Sequence, residues 1–225
     1  MTTETAFAKL HGLGNDFVLL DLDAAGVALT AEQVRFLADR RLGVGADQVL
    51  ALAARADGGW DYRIWNADGG EVGQCGNGAR AAYAYLARHG RVRDGAAVTL
   101  RTSTTTIEVT GGDTGPRARL GVPAFAPAAI PLRRDAQADL YEIEHEGQTV
   151  AFAALAVGNP HACVWTDDLA AAPLASLGTR LNEEKQDFPE GVNLSFLHKA
   201  ADGTVAMRVH ERGAGETPAC GSAAA

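Results

Sequence analysis

The chain has 225 residues, a formal net charge of −8 and a sequence pI near 5.2. That charge argues against nucleic acid as a partner, which needs a basic face, while hydrophobic (47%) and charged (21%) shares fit a soluble globular protein. The length allows one large domain or two units of about 110 residues, each with its own core.

The start of the chain lacks a basic segment followed by an apolar one, so no secretory leader is read. The longest apolar run, Ala151 to Val157, is too short to cross a bilayer. A cytoplasmic location with no membrane partner is the expectation. The three cysteines, Cys75, Cys163 and Cys220, include no Cys-x-x-Cys pair, so neither a zinc site nor a disulfide framework is indicated. A reducing compartment keeps them as thiols. Cys163, within Ala162 to Trp165, reads as a small buried hydrophobe.

In chain order, Phe7 to Leu10 opens a strand that breaks at the Gly-bearing turn His11 to Gly14, and Phe17 to Leu20 reads as the next strand. Thr30 with Gln33 forms a capping signature for a helix from Ala31 to about Arg41. Strands follow at Val49 to Ala53 and Trp60 to Trp65. Asn77 to His89 is Ala-rich and stops at Gly90, as a glycine-capped helix does. Val98 to Val109 is dense in Thr, Val and Ile and reads as a strand or hairpin. The turn cluster Gly111 to Pro116 marks the expected boundary between domains 1–116 and 117–225. The charged stretch from Arg133 to Glu146 reads as solvated surface. Val150 to Val157 is a strand broken at Gly158-Asn-Pro-His161, a helix is expected near Asp168 to Asn182, and Val205 to Val209 is a strand.

Two stretches copy one another at an offset of 145 residues. Tyr62 to Ala79 aligns without a gap on Met207 to Ala224, with Arg63/Arg208, Gly70/Gly215, Glu71/Glu216, Cys75/Cys220, Gly76/Gly221 and Ala79/Ala224 identical. Polar residues outside this stretch keep step. Asn15, Gln48, Asn66 and Cys75 are spaced by 33, 18 and 9 residues, and Asn159, Asn193, Glu211 and Cys220 by 34, 18 and 9. Two homologous halves, each ending in a cysteine at a helix start, are therefore expected.

A helix beginning at Gly76 presents N–H groups and a positive dipole end to Cys75, which favours a thiolate and lowers the thiol pKa. The same groups bind a carboxylate. If both halves do so, one carboxylate sits between two helix starts with a sulfur on each side of its α-carbon. That arrangement suits proton abstraction next to a carboxylate and reprotonation from the opposite face, the chemistry of a two-base racemase or epimerase. The Gly-rich turns carry no lysine placed for a Schiff base and no metal-ligand cluster is present, so no cofactor is expected. His161 and Glu211 read as tuners of the thiols. Glu211 replaces Asn66, making the site asymmetric, and Arg212 is suited to gripping a second carboxylate. The plainer alternatives are a structural turn histidine and a surface charge pair.

His11-Gly-Leu-Gly-Asn-Asp-Phe17, Gly45-Ala-Asp47, Asn66-Ala-Asp-Gly69, Gln74-Cys-Gly-Asn-Gly-Ala-Arg80, Gly158-Asn-Pro-His161, Pro189-Glu-Gly-Val-Asn193, Glu211-Arg-Gly-Ala-Gly-Glu-Thr217 and Ala219-Cys-Gly-Ser222 together resemble diaminopimelate epimerases, from Phe7 to the last residue. The resemblance implies an α/β (α+β) fold of two pseudo-symmetric domains, each a mostly antiparallel sheet wrapped around a central helix, with the active site in the cleft between them. It implies cofactor-independent interconversion of LL- and meso-diaminopimelate for lysine and peptidoglycan precursor synthesis, by a homodimer. On this resemblance Cys75 and Cys220 match the acid–base pair. His161 and Glu211 match the tuning positions. Asn15, Gln48, Asn66, Gly76, Asn77, Asn159, Asn193, Glu211, Arg212, Gly221 and Ser222 match substrate contacts. In the family the chain continues past the second Cys-Gly-Ser through a helix and a strand. The half ending at Ala225 is therefore expected to lack them. Alternatives left open are a proline or hydroxyproline racemase, a cysteine hydrolase with His161 as base, and an inactive truncated form that only binds.

Overall fold

The computed structural model describes residues 6–22, 29–93 and 95–225; Met1 to Thr5, on which part of the leader reading rests, lie outside them. Two compact units divide between Leu120 and Gly121, each built on its own mixed sheet with few helices.

In the first unit β1 (Ala8–Gly12) and β2 (Asn15–Asp21) form a hairpin in which Gly12 pairs with Asn15. The two residues between them, Leu13 and Gly14, both have positive φ (55° and 88°), the turn geometry that matches strand twist. The expected helix is α1 (Ala31–Ala38), opened by a capping box in which Gln33 N–H donates to Thr30 Oγ1 (3.2 Å) and Thr30 N–H to Gln33 Oε1 (2.8 Å). It stops short of Arg41 because the Asp39 carboxylate accepts the Arg41 and Leu42 N–H groups (2.7 and 2.8 Å), turning the chain. β3 (Gln48–Ala54), β4 (Trp60–Asn66), α2 (Gly76–Arg88), β5 (Val98–Arg101), β6 (Thr106–Thr110) and β7 (Arg117–Arg119) complete the unit. The Thr-rich run is a hairpin, closed where Thr102 Oγ1 accepts the N–H groups of Thr104 and Thr105 (3.2 and 2.9 Å). β7 pairs with β6, so this unit runs beyond the Gly111 to Pro116 turn.

The strands lie in sequence order, parallel only at β2–β3 and β4–β5, where α1 and α2 make the crossovers that parallel pairing requires. Alternation then sorts the side chains. Phe17, Leu19, Leu50, Leu52, Tyr62 and Ile64 pack against α2, while Val18, Leu20, Val49, Ala51 and Trp65 share a cluster with Val34 and Ala38 of α1. Strands covered on both faces read as unbroken apolar runs, as β2 and β3 do.

The second unit contains a short 3-10 turn (Pro127–Ala129), β8 (Tyr141–His145), β9 (Gln148–Ala156), β10 (Pro160–Trp165), α3 (Leu174–Glu184), β11 (Asn193–Lys199), β12 (Val205–Glu211) and β13 (Gly215–Thr217). The order is β13-β12-β11-β10-β9-β8, and α3 joins the parallel pair β10–β11 as α1 joins β2–β3. Leu174, Leu177 and Leu181 of α3 pack against Phe152, Val164, Leu194 and Phe196. Two expectations are corrected. The charged stretch before Glu146 is not all surface: in β8 Tyr141, Ile143 and His145 point inward and Glu142 and Glu144 outward. The helix begins at Leu174 rather than near Asp168, whose carboxylate instead caps a turn at the Ala170 and Ala171 N–H groups (2.8 and 3.1 Å), with Pro173 next. Among the described residues no helix is long and apolar enough to cross a membrane.

Candidate active site

Strand β4 delivers the chain through a Gly-rich turn to Cys75, the N-cap of α2. The Cys75 sulfur accepts the Gly78 N–H (3.2 Å), and its carbonyl accepts the Ala79 N–H (2.9 Å) and the Tyr62 hydroxyl (3.3 Å). An N–H pointed at sulfur, backed by the positive end of a 13-residue helix, stabilises negative charge there. The Tyr62 hydroxyl is fully buried, and burial first, then the Cys75 charge, pushes its pKa well above the usual phenol value.

A polar network of this half reaches the first turn of α2 through Asn77. Asn77 donates its amide to the Gly12 carbonyl (2.6 Å) and to Asn15 Oδ1 (3.4 Å). Asn15 in turn donates to Asp47 Oδ2 (3.1 Å), which also takes the Asp16 N–H (3.0 Å). Arg40 bridges Asp16 and Asp47 (both 2.8 Å). Together with Lys9, Arg40 holds the Asp16 carboxyl far below its ordinary range, against the opposing effect of burial. Gln48 and Asn66 sit opposite one another in the β3–β4 ladder, and Gln48 Nε2 donates to Asn66 Oδ1 (2.9 Å). Gly76 is the first residue of α2.

The second unit repeats the central feature. The Ala224 N–H donates to the Cys220 carbonyl (3.2 Å), as Ala79 does to Cys75, so Cys220 also begins a helical turn. The setting of its sulfur is different. Cys220 is 6% exposed, with Ser222 Oγ 3.5 Å from Sγ. Burial first, then the Glu211 charge, pushes the thiol up to about 11, outweighing Ser222 and the Ala223 N–H. At neutral pH Cys220 is therefore protonated. Asn159 donates to Ser222 Oγ (3.2 Å) and accepts from His161 Nε2 (3.0 Å). Asn193 Oδ1 accepts the Arg212 N–H (2.8 Å), and the Arg212 guanidinium is exposed, with Nη1 donating to the neutral Glu190 carbonyl (2.9 Å). Glu211 Oε1 accepts the Thr217 hydroxyl (2.5 Å). Gly221 follows Cys220 in the turn.

His161 is 1% exposed, and burial, then the Arg212 charge, drives its pKa down to about 4. It is therefore a neutral imidazole with its proton on Nε2, facing Asn159 Oδ1. The folded pKa lies below the unfolded value, so the unfolded chain takes up a proton first as pH falls. Stability contributed by neutral His161 is present above about pH 6.5 and is lost towards pH 4, for about 3 kcal/mol. Urea midpoints at pH 7, 5.5 and 4.5 for the wild type and His161→Gln test this. The wild type is expected to lose more than the variant, and parallel losses would exclude His161 as the cause.

Cys163 lies in β10, opposite Ala153 and Ser195 in the ladders, with its thiol pushed up to about 11 by burial. Tyr62 and Thr217 are contacts that the sequence reading missed. Tyr62 has the pattern of a core strand residue, and its contact with Cys75 is through space. Thr217 was detectable, because the 145-residue offset places it against Val72. Among the described residues no group of three His, Cys, Asp or Glu side chains could hold a metal ion.

A sequence profile described as diaminopimelate epimerase matches residues 7–123 and 153–225. The diaminopimelate epimerase of Legionella pneumophila (strain Corby) is 44% identical over 222 residues, covering 97% of this chain and 79% of the relative. That of Aromatoleum aromaticum is 43% identical over 233 residues, with the same coverage of 97% and 79%. Among solved structures, a hydroxyproline epimerase from Agrobacterium vitis with bound trans-4-hydroxy-L-proline superposes with a TM-score of 0.69 at 17% identity, covering 97% of this chain and 73% of that one. A phenazine biosynthesis protein of the PhzF family from Bacillus anthracis superposes with a TM-score of 0.61 at 18% identity, covering 98% and 75%. At such identities these two show the fold alone.

Proposed function

The chain belongs to the diaminopimelate epimerase family, and from that premise we propose that Cys75 and Cys220 are the two acid–base groups of its reaction. The protein is an isomerase that interconverts LL- and meso-diaminopimelate. The observation that carries the cysteine assignment is the pair of matched caps with opposite sulfur settings: one sulfur receives an N–H, the other is held as a thiol beside a carboxylate.

The Cys75 thiolate removes the α-proton from one face. The C–H electron pair stays on the α-carbon and spreads into the carboxylate, and the Cys220 S–H delivers its proton to the opposite face. Cys75 leaves the turnover as thiol and Cys220 as thiolate, which is the starting state for the reverse reaction. An α-proton beside a carboxylate is weakly acidic, so charge developing on that carboxylate needs preorganised donors. The N–H groups that open α2, at Gly76 and Asn77, and those of the Gly221–Ser222 turn supply them. Glu211 takes the substrate ammonium, and the exposed Arg212 takes the distal carboxylate. Asn15, Gln48, Asn66, Asn159 and Asn193 provide the remaining polar contacts, and neutral His161 orients Asn159. We assign the enzyme to the cytoplasm as a homodimer on family resemblance, and sedimentation reads the second point.

The test is proton exchange at the substrate α-carbon. The reduced protein is incubated with LL-diaminopimelate in D₂O and followed by NMR, with proline as the comparison substrate. Deuterium incorporation with inversion of diaminopimelate alone is expected. Exchange of proline alone would replace this reading with the racemase alternative, and an acyl-enzyme without α-exchange would replace it with hydrolase chemistry.

A further inference from the structure

The two half-sites differ at two linked positions. Glu211 stands where the first half has Asn66, and Thr217 where it has Val72. The scaffold beneath is the same in both. Arg63 forms a two-pronged ion pair with Glu71 (3.0 and 2.8 Å), and Arg208 forms one with Glu216 (2.8 and 2.9 Å). In the second unit this pair and the ladder, in which Val209 faces Thr217 and Glu211 faces Gly215, fix β13 against β12. On that fixed frame the first half places the Asn66 amide, with Val72 at the position of Thr217. The second half places a carboxylate and a hydroxyl 2.5 Å apart.

We propose that Thr217 is a positioning residue: its hydroxyl holds the Glu211 carboxylate against Cys220, and this hold reinforces burial in keeping the second half-site the proton donor of the resting enzyme. The inference rests on the two-cysteine reading above. Glu211 is partly exposed and has three side-chain torsions, so an untethered carboxylate turns towards solvent, where water screens its charge. Held by Thr217, it stays close enough to act on the sulfur. The groups acting most on Cys220 are Glu211 from β12 and, opposing it from the cysteine's own turn, the Ser222 hydroxyl and the Ala223 N–H. Asn159 steadies the Ser222 hydroxyl from outside the turn (3.2 Å), and Thr217 steadies Glu211.

The test reads Cys220 directly. Iodoacetamide alkylation of the full chain is followed against pH, with Cys75, Cys163 and Cys220 peptides quantified separately by mass spectrometry. Thr217→Val, which installs the side chain found at the matching position, is expected to lower the Cys220 alkylation midpoint by about one pH unit. Thr217→Ser, which keeps the hydroxyl, is expected to restore the wild-type midpoint. Glu211→Gln lowers it at least as far, and adding Thr217→Val to Glu211→Gln changes nothing further. In turnover, Thr217→Val loses about tenfold in kcat/KM, equally in both directions because the stereoisomer equilibrium fixes their ratio. If the valine variant fails to fold, Thr217→Ala is read in its place. A midpoint that stays or rises in a folded variant overturns the proposal, as does a serine variant that fails to restore it. Alkylation needs no turnover, so failure of the epimerase reading would show separately, as activity surviving loss of Cys75.

Discussion

Replacing Cys75 with alanine is expected to abolish epimerisation, with kcat/KM down by about 10³- to 10⁴-fold in both directions. Cys220→Ala is expected to lose as much, because inversion needs a base on one face and an acid on the other. The two variants part company in proton exchange without inversion. In Cys220→Ala the Cys75 sulfur keeps the Gly78 N–H and the α2 dipole, so it still removes and returns the proton on its own face at neutral pH. In Cys75→Ala the remaining sulfur is a thiol until the pH approaches about 11, so exchange at neutral pH is silent and returns only in strong alkali. NMR of each stereoisomer in D₂O, with each variant, separates inversion from simple exchange. Full inversion by either variant would remove the two-base mechanism altogether. Equal neutral-pH exchange by both would leave the mechanism standing but contradict the opposite settings of the two sulfurs.

That asymmetry was only half legible in the sequence. The 145-residue offset pointed to two cysteines with the same local role, and the matched carbonyl bonds from Ala79 and Ala224 bear out the local likeness. The Asn66-to-Glu211 exchange was visible as a break in the symmetry. What the offset could not carry is the competition at Cys220 between the Ser222 hydroxyl with the Ala223 N–H and the sum of burial and a carboxylate, because burial depends on the whole unit. Elements were lost for simpler reasons. Glu142 and Glu144 alternate with Tyr141, Ile143 and His145, so β8 is a clean two-residue period hidden in a run that looked merely charged. The segment from Asp168 to Pro173 has helical composition, but the Asp168 carboxylate satisfies two N–H groups in a turn and so competes with helix formation. β13 is three residues long, too short for any periodicity, yet it carries Thr217.

The polar spacings were a better guide, because they count residues along strands whose register is fixed. Eighteen residues separate Gln48 from Asn66, and the β3–β4 ladder sets them side by side with their amides bonded. Asn15 is held by a different device. Asp47, one residue before Gln48, accepts its amide and is itself held by Arg40. The ion pairs at Arg40 are exposed and contribute little to stability. Their effect is to fix the direction in which Asn15 points, so loss of Arg40 should alter KM more than the unfolding midpoint.

A tight constraint in the first half-site is the glycine beneath the Cys75 sulfur, and Gly78→Ala is expected to destabilise the protein by about 2 to 3 kcal/mol. Helix propensity alone predicts the opposite sign, a gain of about 1 kcal/mol for alanine inside a helix. Packing decides between them. A Cβ at position 78 would lie 2.4 Å from Tyr62 Oη, 3.2 Å from Cys75 Sγ and 3.3 Å from Leu50 Cδ1. Tyr62 and Leu50 are both fully buried, so neither ring nor methyl has room to withdraw. The first turn of α2 must shift instead, and that shift draws the Gly78 N–H away from the sulfur it stabilises. Rate should therefore fall further than stability. Tyr62→Phe removes the hydroxyl that meets the new methyl, and in that background Gly78→Ala should cost less than about 1 kcal/mol. Urea denaturation and kcat/KM across the four proteins give both readings from one cycle. An equal cost in both backgrounds would acquit the hydroxyl. Recovery of stability without recovery of rate would show that the N–H to sulfur contact, rather than the packing around it, is what the glycine protects.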